Sequence, residues 1–186
     1  MHRAPLLTRL RRHVPSDAVE AEHLQRMIEF VERENECFER SLARGHLTGS
    51  AFIIDEGRTH ALLLHHAKLE RWLQPGGHAD GEQDLHAVAL REAREETGLA
   101  SIQPLGEAIF DVDVHAIPAR AGTPAHWHYD VRYLFEADQS APLRGNRESK
   151  GLAWRELGVI GMSGEESLAR MARKVLARFG ERFVAG

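Results

Sequence analysis

Apolar residues recur at helical spacing in the first quarter of the chain, where Val19, Leu24, Met27, Ile28, Val31, Phe38 and Leu42 follow the polar pair Ser16-Asp17. That spacing predicts a long helix starting near Ser16, with Ser16 or Asp17 as N-cap, and breaking near Gly45. The period then shortens. Apolar runs over 50–54 and 61–64 flank Asp55-Glu56-Gly57-Arg58, a turn composition that predicts a β-hairpin. A Pro- and Gly-containing loop from Gln74 to Gly81 leads into a second helix, for which Asp84 is the expected N-cap. Beyond it Phe110, Val112 and Val114 alternate with Asp111, Asp113 and His115, as a half-buried strand should. The segment from His126 to Phe135 alternates more clearly, with Trp127, Tyr129, Val131, Tyr133 and Phe135 on one face and His126, His128, Asp130 and Arg132 on the other. A short strand around Leu152 to Trp154 and a helix over 165–179 complete the pattern. Together these elements predict an α/β sandwich built on a mixed sheet.

The chemistry suggested by the pattern is concentrated in the second helix. Glu92, Glu95 and Glu96 stand at i, i+3 and i+4, so their carboxylates share one arc of its surface. Like charges at that spacing repel, and no cation lies four residues downstream of Glu95 or Glu96. A hard, oxygen-loving cation, Mg2+ first and Mn2+ as an alternative, would relieve the repulsion. The plainer reading is a charged, solvated helix closed by Gly98, with Arg91 and Glu95 as an ordinary surface pair.

The longer string decides between them. Arg91-Glu92-Ala93-Arg94-Glu95-Glu96-Thr97-Gly98-Leu99 resembles the signature of the Nudix hydrolases at every specified position of that half. In the upstream half Gly77 is in register, Gln83 occupies the place of the first glutamate, and Glu82 lies one residue early. The resemblance implies the Nudix-type α/β/α sandwich with a mixed sheet over residues 46–186, preceded by a helical arm over 1–45. It implies metal-dependent hydrolysis of a nucleoside diphosphate linked to another group, ADP-ribose-like or a nucleoside triphosphate. Glu92, Glu95 and Glu96 are then the expected metal ligands and catalytic residues, with Arg91 orienting a glutamate. Glu148, six residues before Trp154, is similar to a loop glutamate of the family that binds metal or activates water. Two other readings stand beside this one. Gly76-Gly77-His78 resembles the Cys-Gly-His of isopentenyl diphosphate isomerases, although Gly76 replaces the catalytic cysteine, and a non-catalytic nucleotide-binding module would be expected to lack the glutamates.

The histidines are not explained by the general signature. His78, His126 and His128, with Asp130, could meet a transition metal or substrate phosphates; a hydrogen-bonded structural role is the ordinary alternative for each. Trp72 either stacks on a base or closes the core, and Lys68 and Arg71 suit phosphate oxygens or solvent equally.

Length and charge narrow the classes further. The 186 residues suit one domain, and a net charge of −4 gives no electrostatic case for bulk nucleic-acid binding. A lone cysteine, Cys37, rules out an intrachain disulfide framework and fits a cytoplasmic setting. No apolar run approaches the roughly 20 residues of a membrane span. The basic first 16 residues read as a leading helix or arm. Such an arm packs on its own domain or on a partner subunit, so a homodimer is one of two arrangements open to it.

Overall fold

The structure is a computed structural model and describes residues 2–119, 122, 124–147 and 149–180. In chain order the elements are α1 (Ala4–Arg12), α2 (Ala18–Arg33), β1 (Gly45–Asp55), β2 (His60–His66), β3 (Trp72–Leu73), β4 (Gly76–His78), α3 (Leu85–Thr97), β5 (Gln103–Pro104), β6 (Asp111–Ile117), β7 (His126–Ala137), β8 (Ser149–Glu156), α4 (Leu157–Gly161) and α5 (Glu166–Phe179). Contacts divide the chain into two units. One comprises Met1–Ser50, Gly76–Arg91 and Glu107–Tyr133, and the other Ala51–Pro75, Glu92–Gly106 and Leu134–Gly186.

In the first unit α2 opens on Asp17, whose carboxylate accepts from the Glu20 amide at 2.7 Å. The helix stops at Arg33 rather than near Gly45. From there the chain turns through i→i+3 bonds, Glu39 to Glu36 and Leu42 to Glu39, and buries Cys37 and Phe38. The Leu47 amide donates to the Cys37 carbonyl at 2.8 Å, so these apolar residues anchor a turn and do not extend the helix. Burial also pushes the Cys37 thiol up to about 11, which leaves it protonated and inert.

β1 is buried along its whole length. It is flanked by β4, antiparallel with Thr48 opposite His78 and Ser50 opposite Gly76, and by β7. β7 runs in the same direction as β1: Trp127 donates to the Arg44 carbonyl at the start, and Asp130 meets Thr48 and Ser50 farther along. With β6 antiparallel to β7, the sheet is mixed. The Gln74–Gly81 segment, expected as loop, therefore contains a short strand.

The half-buried strands expected around Val112 and Val131 are more deeply covered. Asp111, Val112, Asp113 and Val114 are all buried, because α2 packs against β6. Glu20 of α2 lies 3.4 Å from the Val112 amide, and Phe30 stacks on Tyr129 with centroids 3.8 Å apart. Part of the polar side of β7 is equally enclosed. Arg132, 2 % exposed, donates to Asp130 at 2.7 Å, Asp111 at 3.0 Å and Asp113 at 3.1 Å. Burial alone would raise the Asp113 carboxyl, but Arg132, with His115 and His23, holds it well below the usual carboxylate range.

In the second unit Ile53 pairs with Leu62 and Ile54 with Ala61, as the hairpin pattern predicts. The buried Asp55 carboxylate closes the turn by accepting from the Thr59 amide at 2.8 Å and the His60 amide at 2.6 Å. β8 is longer than expected, because it pairs with β2 from His60 opposite Glu156 to His66 opposite Ser149. α5 begins one residue inside its expected range and packs on α4. No helix among the described residues is long and apolar enough to cross a membrane.

Candidate functional site

α3 is held at both ends. Asp84 accepts from the His86 amide at 3.1 Å, and Gly98, at φ +69°, donates to the Arg94 carbonyl at 2.9 Å. At its start the helix lies against β1 at Gly49, where a β-carbon would stand 2.6 Å from the Leu85 carbonyl oxygen. On this fixed helix the three glutamates differ in exposure: Glu95 is exposed, Glu92 half-buried and Glu96 buried at 4 %. The arc thus runs from solvent to interior and presents carboxylate oxygens only. That donor chemistry fits Mg2+ or another hard cation.

The flanking residues take varied roles. Arg91 is exposed and reaches the His78 carbonyl at 3.5 Å, a long contact between the helix and β4. The displaced Glu82 accepts from the Asp84 amide at 3.0 Å, within the loop that leads into the helix. Glu148 lies outside the described residues.

β4 explains the paired glycines. A β-carbon on Gly76 would fall 2.2 Å from Ser50 Oγ and 2.8 Å from its β-carbon, so this position closes against β1 only without a side chain. The same contact bears on the isomerase-like reading, which needs a cysteine there.

Trp72 is half-buried, with the Arg155 guanidinium 4.6 Å above its ring and His65 at 5.1 Å between centroids. One face of the indole is therefore already covered. Arg71 pairs with Glu165, and Lys68 is exposed.

The first unit gathers the expected histidines. His78 from β4 and His128 from β7 have centroids 5.1 Å apart, and His126 lies 5.2 Å from His128. A residue not singled out from sequence stands among them. His46 of β1 is 4 % exposed, with its ring 4.9 Å from His78, 4.9 Å from His128 and 5.0 Å from His126. His115 of β6, opposite His128, adds a ring at 5.5 Å. The available signal for His46 is phase: with β1 extended back to Gly45, it shares alternation with Thr48 and Ser50. Those two hydroxyls donate to Asp130 at 2.8 and 2.7 Å, in phase with His126 and His128.

The electrostatics of this group are distinctive. Burial, then the neighbouring imidazoles His78 and His126, lowers His46 to about 4. Burial, then His115 and His78, lowers His128 to about 2. Neither ring nitrogen of His46 has a hydrogen-bond partner among the described residues. Each such buried group costs about 1–3 kcal/mol if left unsatisfied.

The NUDIX domain family model matches residues 46–179. No curated protein sequence matches the chain significantly. Among solved structures the chain is similar to a C. elegans Ap4A hydrolase in a binary complex, with 18% identity over 73% of this chain and 98% of that one and a TM-score of 0.58. It is similar to the E. coli dihydroneopterin triphosphate pyrophosphohydrolase, at 10% identity over 70% and 95% with a TM-score of 0.53. It is similar also to the NUDIX domain of Shewanella oneidensis NrtR complexed with ADP ribose, at 18% identity over 81% and 96% with a TM-score of 0.50. At these identities the structural likenesses establish the fold, an α/β/α sandwich on a mixed sheet, here with added N-terminal helices. With the family model spanning most of its length and the Arg91–Leu99 string set on a capped helix, the chain belongs to the Nudix family and is a Nudix hydrolase, an enzyme of phosphoric anhydride bonds.

Proposed function

We propose that this protein is a divalent-metal-dependent pyrophosphohydrolase that cleaves a nucleoside diphosphate linked to another group. The observation that carries the reading is the single arc of Glu92, Glu95 and Glu96 on α3, a helix capped at both ends and graded from exposed to buried. These three carboxylates are the proposed ligands, with Mg2+ as the first ion and Mn2+ as the alternative. A bound divalent ion would supply charge neutralisation at the phosphate being attacked.

The chain's own contribution is positional. The helix fixes the spacing of the carboxylates, and the buried Glu96 is the least free to reorient. Arg91 bridges towards the β4 backbone, which places a cation at the start of the carboxylate arc. Glu148 is proposed, from the sequence, to activate or orient the attacking water. Trp72, His78, His126 and His128 remain the proposed substrate-side residues, the imidazoles directly or through a bound metal ion.

Substrate candidates follow the similar proteins and the family pattern: ADP-ribose-like sugars, dinucleoside polyphosphates and nucleoside triphosphates. The isomerase-like alternative is disfavoured by the closure of β4 on Ser50 at Gly76. A non-catalytic module is disfavoured by the retained glutamates. We further propose a cytoplasmic setting and a boundary at residue 45 between a helical arm and a domain over 46–186, with α2 seated on its own chain at β6. Self-association through the arm is testable by light scattering.

A turnover screen of nucleoside diphosphate derivatives with Mg2+ and Mn2+, with and without chelator, tests the function. We expect hydrolysis of at least one compound that chelator abolishes. Full activity in chelator would exclude the metal role, and no turnover of any compound would overturn the proposed substrate class.

A further inference from the structure

Beyond the carboxylate helix, the first unit carries a second set of donors with different chemistry. His46, His78 and His128 come from three strands, β1, β4 and β7, and can each offer one ring nitrogen such that the three atoms lie within 4.8 Å of one another. His46 is almost wholly buried, and both its ring nitrogens lack a hydrogen-bond partner among the described residues. A structural histidine in that position should have found a donor or acceptor.

We propose that His46, His78 and His128 form a three-imidazole site for a zinc-class transition-metal ion, separate in donor type from the Mg2+ ligands proposed on α3. Neutral imidazole suits Zn2+ and its first-row neighbours, whereas Mg2+ demands oxygen. Three histidines with one further position is a donor set that zinc uses in open sites. A small inward movement of the rings brings the nitrogens to bonding distance, since ligands about 2.0–2.1 Å from a tetrahedral ion are separated by roughly 3.3–3.4 Å.

His126 strengthens the assignment. Its Nδ1 lies 2.9 Å from the Pro124 carbonyl oxygen, which fixes the proton on that nitrogen and leaves the Nε2 lone pair facing the cluster. That Nε2 stands 3.3 Å from His128 Nε2, the separation two ligands of one tetrahedral ion would have. His126 thus borders the three-histidine group on the His128 side.

The test is metal binding and does not depend on turnover. Metal-free full-length protein is titrated with Co2+ and followed by its visible absorption, then with Zn2+ by calorimetry and by imidazole nitrogen resonances. We expect one equivalent of Co2+ to produce the intense bands of a four- or five-coordinate ion, displaced by Zn2+ and not by excess Mg2+. His46→Gln and His128→Gln should each weaken Co2+ binding by about a hundredfold or more. A Glu95→Gln/Glu96→Gln double variant should keep the spectrum, which separates this site from the catalytic reading. The wild-type spectrum stands as evidence even if a histidine variant fails to fold. Absence of stoichiometric binding to folded wild-type protein, persistence of the bands in both folded histidine variants, or their loss in the glutamate variant would each overturn the site.

Discussion

At Gly76 the strand β4 approaches Ser50 so closely that a methyl group would overlap its hydroxyl, and the same hydroxyl donates to Asp130. Gly76→Ala should therefore destabilise the protein by about 1–3 kcal/mol, the usual range for overpacking. Urea denaturation measures this, and a change within about 0.5 kcal/mol would mean that β4 yields without cost. The glutamates make a different test because the charge can be removed without changing shape. Glu95→Gln and Glu96→Gln should each reduce turnover by about two orders of magnitude. For the exposed Glu95 the melting temperature should hardly move, so the pairing of intact fold with lost activity is the informative result. Near-wild-type turnover in both variants would remove these residues from the mechanism.

Among the elements, α2 is integral to the unit it covers. Its Glu20 carboxylate is fully buried and accepts from the Ser16 amide at 2.6 Å and hydroxyl at 2.9 Å, while His13 lies 2.8 Å away. Farther along, Phe30 stacks on Tyr129 at an interplanar angle of 4°. Phe30→Ala should cost about 3–5 kcal/mol, the range for deleting a buried aromatic ring. A loss below about 1 kcal/mol in chemical denaturation would show that the helix rests loosely on β7. Because β7 also carries His126 and His128, we expect the same variant to broaden their imidazole resonances.

For the molecule as a whole, His46, His128 and the caged Asp113 carboxylate act in the same direction with pH. His46 at about 4 and His128 at about 2 lie below the ordinary histidine value, so the unfolded chain takes up protons first as pH falls. Their contribution is complete above about pH 6.5 and is lost progressively below it. Asp113, also held low, contributes above about pH 4 and loses that contribution in stronger acid. In chelator the melting temperature should fall from about pH 7.5 to about pH 5, and His128→Gln should flatten that slope. A melting temperature that is flat or rises over this window in the wild type would contradict the burial of neutral imidazoles.

What the amino-acid order determined by itself is local. The Asp84 and Gly98 caps, the hairpin around Asp55, the i, i+3, i+4 carboxylates and the alternation of β7 depend on neighbours a few residues apart, so spacing and turn chemistry expose them. The remainder required distant partners. The end of α2 is set by Cys37 and Phe38 turning into the core, and β4 exists because Gly76 and Gly77 pair with Ser50 and Gly49. Asp111 and Asp113 could be read as a polar face until Arg132 and α2 enclosed them, since burial is not encoded by alternation alone. His46 is the sharpest case. Its strand phase with Thr48 and Ser50 is its one local mark, and it joins His78 and His128 only because β1 lies beside both β4 and β7, bringing ring nitrogens of residues up to 82 positions apart within 4.8 Å of one another.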